Sequence, residues 1–298
     1  MFDLRRARSL HAVSRHGTVG AAAAALHVTP SALSQQLAKL EREVGQPLLV
    51  RRGRGVVLTD AGVLLVEHTE ALLARMAQAE TELQAQRGQV TGRMAIAAFA
   101  TATRAILPAA LRELREQHPQ LRLESFEHDP AAALSLLSRG NVDVAVIDEW
   151  FRPRPDLPEG VEAEHLLDDV ADLALPADHR LAGADPVIDL GACAGERWIT
   201  WGEGVFGHDW LHRELRKHRA DPVFAHTAGE HQTLLALVAA GLGVALVPRL
   251  GRGPVPEGVV VKPVRPTATR RVFALWRTDT AARPAIGAAT TALRHAAL

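Results

Sequence analysis

"HVTPSALSQQLAKLE", residues 27–41, sets Leu33, Leu37 and Leu40 at helical spacing behind a Thr29-Pro30 start. Thr29 suits the cap position, and Pro30 suits the first helical position, where its missing N–H is no loss. Gly45 can close the helix in a left-handed turn. Opposite the leucines stand Pro30, Ser31, Ser34 and Gln35, neighbours at spacings of one, three and four. A face built only for solubility would carry Lys or Glu. Ser and Gln instead donate and accept hydrogen bonds at base edges, and their short reach suits a helix lying in a major groove. Gln36 sits beside Leu37 and turns away from this face, which predicts a packing or capping contact.

Two helices precede this one. Leu4, Ala7, Leu10 and Val13 form an apolar stripe ended by Gly17, and Thr18 can cap a short second helix through "VGAAAAAL". A helix that short holds only when packed, and its alanines permit close approach. After Gly45, "PLLVRRGRGVVLT" (47–59) reads as two short strands around a basic, glycine-containing tip. Arg51, Arg52 and Arg54 there can grip phosphates or enter a minor groove. Helix, helix, recognition helix and basic hairpin, in that order, make a winged helix-turn-helix.

Charge supports that reading. The net formal charge of the chain is zero, yet residues 1–58 hold nine basic and three acidic groups. A basic front beside an acidic body points to a polyanionic partner for the front. No run of about 18 apolar residues occurs and the start lacks a signal-like apolar region, so neither a membrane span nor secretion is expected. Cys193 is the single cysteine, which fits a reducing cytoplasm.

The stretch "AAAALHVTPSALSQQLAKLEREVGQPLLVRRGRGVVLTDAG" (22–62) closely resembles the DNA-binding domain of LysR-type transcriptional regulators. The match covers spacing as well as residue type. The resemblance implies base contacts by Pro30, Ser31, Ser34 and Gln35, with Arg51, Arg52 and Arg54 on the DNA backbone. Leu10, Val19 and Leu49 stand where many relatives have Phe, a change of volume in the small core.

From Asp60 to about Arg87 there is no proline, and Gly62 is the single glycine. Leu65, Thr69, Leu72, Met76, Ala79 and Leu83 alternate spacings of four and three, a heptad seam. A solitary helix of this length is marginal, so pairing with a second copy is expected, and the family's dimerising linker helix falls here. "GQVTG" (88–92) reads as a hinge.

From Arg93 the pattern becomes alternating strands and helices. "RMAIAAF", "LRLESF" and "VDVAVI" are strand-like, with helices between them, which implies a parallel sheet covered on both faces. A second such unit starts near His165 with "VADLALP" and runs through "RWIT", a helix from Asp209 to Arg219, "VFAH", "TLLALVAAG" and "VALVP". Strand "VFALW" (272–276) and a final helix are expected to return to the first half. The body resembles the LysR-type regulatory domain, itself akin to periplasmic binding proteins, through "LLSRGNVDVAVI", "LALPADHRLA" and "LLALVAAGLGVALVP". The expected division is 1–58 for the winged helix-turn-helix, 59–87 for the linker helix, 88–92 for the hinge and 93–298 for the effector domain. Within it, lobe I spans about 93–164 plus 266–298, and lobe II about 165–265.

Two α/β halves leave a cleft at the carboxyl ends of their strands, a common ligand site. Thr101 and Thr103 open a helix after the first strand, where a hydroxyl and free N–H groups can hold an anion. Thr200, Trp201 and Gly202 follow "RWIT", and Gly229, Glu230 and His231 open another helix. Glu203 and Glu230, if they face the cleft, would favour an effector that also carries an amine.

Two rival functions are weighed. His208 and His212 lie four apart on one helical face, with His218, His226 and His231 nearby in sequence, so a metal sensor is conceivable. However, no HExxH or CxxC accompanies them, and no metal site is assigned. An enzyme is disfavoured, because no G-x-S-x-G, P-loop or dinucleotide fingerprint occurs and Cys193 has no evident partner base. The expectation is a cytoplasmic, homodimeric or homotetrameric regulator without a cofactor. It binds double-stranded DNA at an inverted repeat and senses a small molecule between two lobes.

Overall fold

The computed structural model describes residues 2–26, 28–52, 55–85, 90–183, 185–202, 206–218 and 222–298. It divides into two compact units, residues 1–83 with 139–141, and residues 84–138 with 142–298.

In the first unit, α1 (Leu4–His16), α2 (Val19–Ala25) and α3 (Pro30–Val44) start and stop where local chemistry directs. The Thr18 hydroxyl accepts from the Ala21 N–H and the Thr29 hydroxyl from the Ala32 N–H, each at 3.2 Å. Gly17 and Gly45 end α1 and α3 at φ 72° and 79°, a conformation that penalises any Cβ. Strands β1 (Leu49–Arg52) and β2 (Gly55–Leu58) pair antiparallel, with Arg51 opposite Val56 and Arg52 opposite Gly55. Leu10, Leu33, Leu40 and Leu48 form a dry centre. Glu41 ties the hairpin to α3, because its carboxylate accepts from the N–H groups of Leu48 and Leu49 at 2.8 and 3.2 Å.

Helix α4 (Asp60–Ala85) follows the hairpin. Its Gly62 lies against the chain at Leu48, where an added Cβ would stand 2.2 Å from the Leu48 carbonyl oxygen. Only glycine permits that approach. The proposed seam begins later than its spacing implies. Leu65 packs in the core of this unit, and Thr69 is fully buried with its hydroxyl donating to the Leu65 carbonyl at 2.6 Å. His11 on α1 meets Glu70 at 3.1 Å, so the first turns of α4 cover their own domain. Leu65 therefore belongs to that core and not to a subunit seam. Leu72, Met76, Ala79 and Leu83 stay exposed.

The second unit opens with β3 (Gly92–Ala98), α5 (Ala100–Ala105), α6 (Leu107–Gln117), β4 (Leu121–Glu127), α7 (Pro130–Ser138) and β5 (Val144–Glu149). Strand β3 pairs in parallel with both β4 and β5. Of the expected hinge, residues 88 and 89 lie outside the described residues, and Gly92 already belongs to β3. Next come β6 (Val161–Pro176), β7 (Ile188–Asp189), β8 (Arg197–Thr200), α8 (Phe206–Arg216), β9 (Val223–Thr227) and α9 (His231–Ala239). The chain ends with β10 (Ala245–Pro248), β11 (Val259–Lys262), β12 (Val264–Arg265), β13 (Ala268–Arg277) and α10 (Pro284–Ala296).

The main sheet runs β10-β6-β13-β5-β3-β4, with β11 also on β6. The second half is not a copy of the first. "VADLALP" is the latter part of the 16-residue β6, whose beginning pairs antiparallel with β13. Charge favours that pairing, because Asp169 stands opposite Arg270 and Asp168 opposite Arg271. Strand β13 returns to the first half, as expected, and α10 packs beneath it through Ala285, Ile286 and Leu293. Strands β8 and β9 pair in parallel as a separate two-stranded sheet, beside a distinct core built on Leu173, Trp198, Leu211 and Leu235. The two halves thus hold separate cores joined by β6 and β13.

Candidate functional site

The face of α3 is the first candidate. Pro30, Ser31, Ser34 and Gln35 are all exposed, while the leucines of the same helix are buried. Gln36 is half-buried and accepts from the hydroxyl of Ser9, itself 1% exposed. It fastens α3 to α1, while Pro30, Ser31, Ser34 and Gln35 stay exposed on the amino-terminal half of the helix and Lys39 and Arg42 further along it. Arg51 and Arg52 end β1 at the hairpin tip; their side chains, and Arg54 altogether, lie outside the described residues.

The second candidate is a cavity of about 260 Å³ at the carboxyl ends of β3, β4, β5 and β8. Phe99 follows β3, Glu127 ends β4, Trp150 follows β5 and Trp201 follows β8. His231, the first residue of α9, completes one wall. The Trp201 ring lies 5.8 Å from that of Trp150 and 5.6 Å from that of His231. Gly207 seats Trp201, because a Cβ there would fall 2.6 Å from its ring.

Under this wall sits a buried ionic cluster. Arg270 on β13 donates to Asp169 at 2.9 Å, to Asp148 at 3.0 Å and to the Thr101 hydroxyl at 2.8 Å. Asp148 also accepts from the Trp150 indole at 3.1 Å. Such a set joins β5, β6, β13 and α5 at the junction of the halves, and each guanidinium nitrogen of Arg270 meets an acceptor.

The expected cleft residues divide between structural and available groups. Thr101 is fully buried with its hydroxyl oxygen accepting from Arg270, and the Thr103 hydroxyl donates to the Ala98 carbonyl at 3.2 Å. Neither residue is among those lining the cavity. Thr200 is 1% exposed, and its hydroxyl has no hydrogen-bond partner among the described residues. Trp201 and Gly202 line the cavity. Glu230 is committed elsewhere, because its carboxylate caps α9 at the Thr233 N–H (2.8 Å) and pairs with Arg104 at 3.2 Å. Burial pushes that carboxyl up, but the N–H groups of Gln232 and Thr233 and the Arg104 guanidinium outweigh it and hold it low. The expected amine-binding role of Glu230 is therefore not supported, and Glu203 lies outside the described residues.

His231 differs from its neighbour. It is 6% exposed, and neither ring nitrogen has a partner among the described residues. Burial, aided by the charges of Arg270 and Arg104, brings its pKa down to about 3. A neutral imidazole therefore faces the cavity at ordinary pH.

The histidine pair is a packing feature. His208 lies 4.5 Å from the Phe224 ring and 6.3 Å from His212. Among the described residues no three His, Cys, Asp or Glu gather as a metal site. Burial pushes the Cys193 thiol up to about 12, which removes the thiolate a nucleophile would need.

Comparison with known proteins decides the family. Residues 4–63 match the model of the bacterial regulatory helix-turn-helix protein, lysR family, and residues 87–298 match that of the LysR substrate binding domain. The chain belongs to the LysR family of transcriptional regulators. The activator IlvY of Salmonella typhimurium is 32% identical over 288 residues, covering 93% of this chain and 90% of that protein. The regulator XapR of Escherichia coli is 27% identical, covering 93% and 92%. Among solved structures, the LysR-family regulator CbnR aligns with TM-score 0.72 at 20% identity, covering 100% of both chains. A full-length OxyR variant from Pseudomonas aeruginosa aligns with TM-score 0.70 at 24% identity, covering 99% and 98%.

As a LysR-type regulator the chain binds DNA and carries a small-molecule effector domain; it is not an enzyme. Among the described residues no helix is long and apolar enough to cross a membrane. The ionic cluster of Asp148, Asp169 and Arg270 and the cavity wall residue Trp150 are not among the residues that the sequence pattern singles out. A signal existed: Asp148 and Arg270 interrupt apolar strand patterns, and a charge inside such a strand implies a buried partner.

Proposed function

We propose that this LysR-type regulator reads DNA with the Pro30, Ser31, Ser34 and Gln35 face of α3, and holds the backbone with Arg51, Arg52 and Arg54. The observation that carries this reading is the exposed, uncharged hydrogen-bonding surface on the amino-terminal half of a helix whose leucine side is buried. Two copies pair through Leu72, Met76, Ala79 and Leu83, exposed along the outer turns of α4. Two reading heads in a symmetric dimer call for an inverted repeat. The effector occupies the cavity bounded by Trp201, Gly202 and His231, and Thr200 supplies a spare hydroxyl beside it.

Residues 1–58 act as the reading head, 59–87 as the pairing helix, 88–92 as the hinge and 93–298 as the sensor, in the cytoplasm. Effector binding shifts the packing of the two halves about β6 and β13 and alters the spacing of the reading heads. Only a ligand that binds one arrangement better than the other can do so. A mobility-shift assay on DNA flanking the protein's own coding region, repeated over a metabolite panel, tests this. A specific complex whose mobility or affinity changes with one metabolite class is expected. Binding of all DNA alike under every condition contradicts it.

A further inference from the structure

The wing is a hairpin of two four-residue strands, and a two-stranded hairpin alone in water is marginally stable. Its direction is therefore set by what holds its base. Thr59, at its exit, donates its N–H to the Leu48 carbonyl at 3.0 Å and its hydroxyl to the Pro47 carbonyl at 2.9 Å. The Leu48 side chain is buried in the core of the unit, and Gly62 of α4 lies against its carbonyl. The polar tie to α3 is Glu41. A single oxygen of its carboxylate accepts from the N–H groups of both Leu48 and Leu49.

Helical spacing puts this tie in line with the base-reading surface. Glu41 follows Ser34 by seven residues, almost two full turns at about 3.6 residues per turn, so both leave α3 on the same side, about 10 Å apart along its axis. Ser34 is exposed, whereas Glu41 is half-buried at the base of the hairpin. Two residues past Leu49 the same strand reaches Arg51 and then Arg52. One helix thus carries a base-reading side chain and the anchor of the strand that leads to the wing arginines. A carboxylate beside a polyanion works against binding, so what Glu41 contributes lies in its two hydrogen bonds and not in its charge.

We propose that Glu41 is a positioning residue for DNA binding, which sets the angle of the wing to α3 so that the arginines meet phosphates while the Ser34 surface meets bases. It touches no DNA itself. This rests on the reading of α3 as the base-reading helix and of the wing as the backbone grip, and adds what holds the two in register.

Fluorescence anisotropy of the full chain tests this, well below every variant's thermal transition. Two probes are used: the duplex that the parent chain enriches most from a random pool, and a scrambled duplex of the same composition. Glu41→Ala and Glu41→Gln remove the same charge, but the Gln side-chain oxygen can still accept both hydrogen bonds. Glu41→Ala is expected to reduce the slope of log affinity against log salt by about 0.9 for each phosphate contact released, about one to two units in all, on both duplexes. Its ratio of affinities for the two duplexes should stay within about twofold of the parent's, because phosphate contacts carry no sequence information. Glu41→Gln should keep the parent's slope. Adding Glu41→Ala to a chain in which Arg51, Arg52 and Arg54 are all replaced by Ala should reduce the slope no further. A parental slope in Glu41→Ala, a Glu41→Gln chain no better than Glu41→Ala, or a further loss in the combined variant overturns the proposal. If the triple arginine variant itself keeps the parent's slope, the wing reading falls and the proposal with it. If the triple variant loses slope and Glu41→Ala does not, the proposal alone falls.

Discussion

His231 makes folding stability depend on pH between about 3 and 6.5. Its pKa in the folded chain is about 3, against an ordinary 6.5. The unfolded chain therefore takes up a proton between those values that the folded chain refuses. Stability from this group is complete above about pH 6.5 and is lost as pH falls below it, at about 1.4 kcal/mol per pH unit. At pH 5 the loss is about 2 kcal/mol, which for a unit of this size lowers Tm by about 4–8 °C. Replacing His231 by Asn removes the titration. The parent should therefore lose about 4–8 °C more than His231→Asn between pH 7 and pH 5, read by the thermal transition of the effector domain. Parallel pH profiles for the two chains would refute the buried, unprotonated imidazole. So would an NMR titration of His231 with a midpoint near 6.5.

Three further outcomes follow from contacts already described. Gly62→Ala forces a methyl against the Leu48 carbonyl and should destabilise the DNA-binding unit by about 1–3 kcal/mol, seen as a lower denaturant midpoint. Arg270→Met strands two buried carboxylates and should cost about 3–5 kcal/mol; adding Asp148→Asn and Asp169→Asn should recover much of it, and failure to recover would argue against ionic pairing. Arg52→Ala should weaken all DNA sequences alike and reduce the slope of log affinity against log salt by about 0.9, measured by fluorescence anisotropy.

How far the fold could be read from sequence depended on how local each cause was. The caps Thr18 and Thr29, the stops Gly17 and Gly45, and the inward leucines of α3 act over a few residues, and each stands where its spacing put it. The heptad on α4 was visible, but spacing cannot say which body covers which turn. Leu65 and Thr69 went to the helix's own domain. The long β6 was hidden because its early residues, "VEAEHLLDDV", show no clean alternation; their order comes from β13, about a hundred residues away. Distance along the chain also concealed the Arg270 cluster. Glu230 carried a legible cap signal in "GEHQT", and reading it as a cap would have removed it from the cleft.

The central claim is that the α3 face reads bases. A binding-site selection from random duplex DNA, run side by side on the parent chain and on Gln35→Ala, tests it most directly. The account predicts that the parent enriches an inverted repeat, and that Gln35→Ala loses preference at one position of each half-site, worth about 1–3 kcal/mol. An unchanged motif and unchanged discrimination in Gln35→Ala would contradict it.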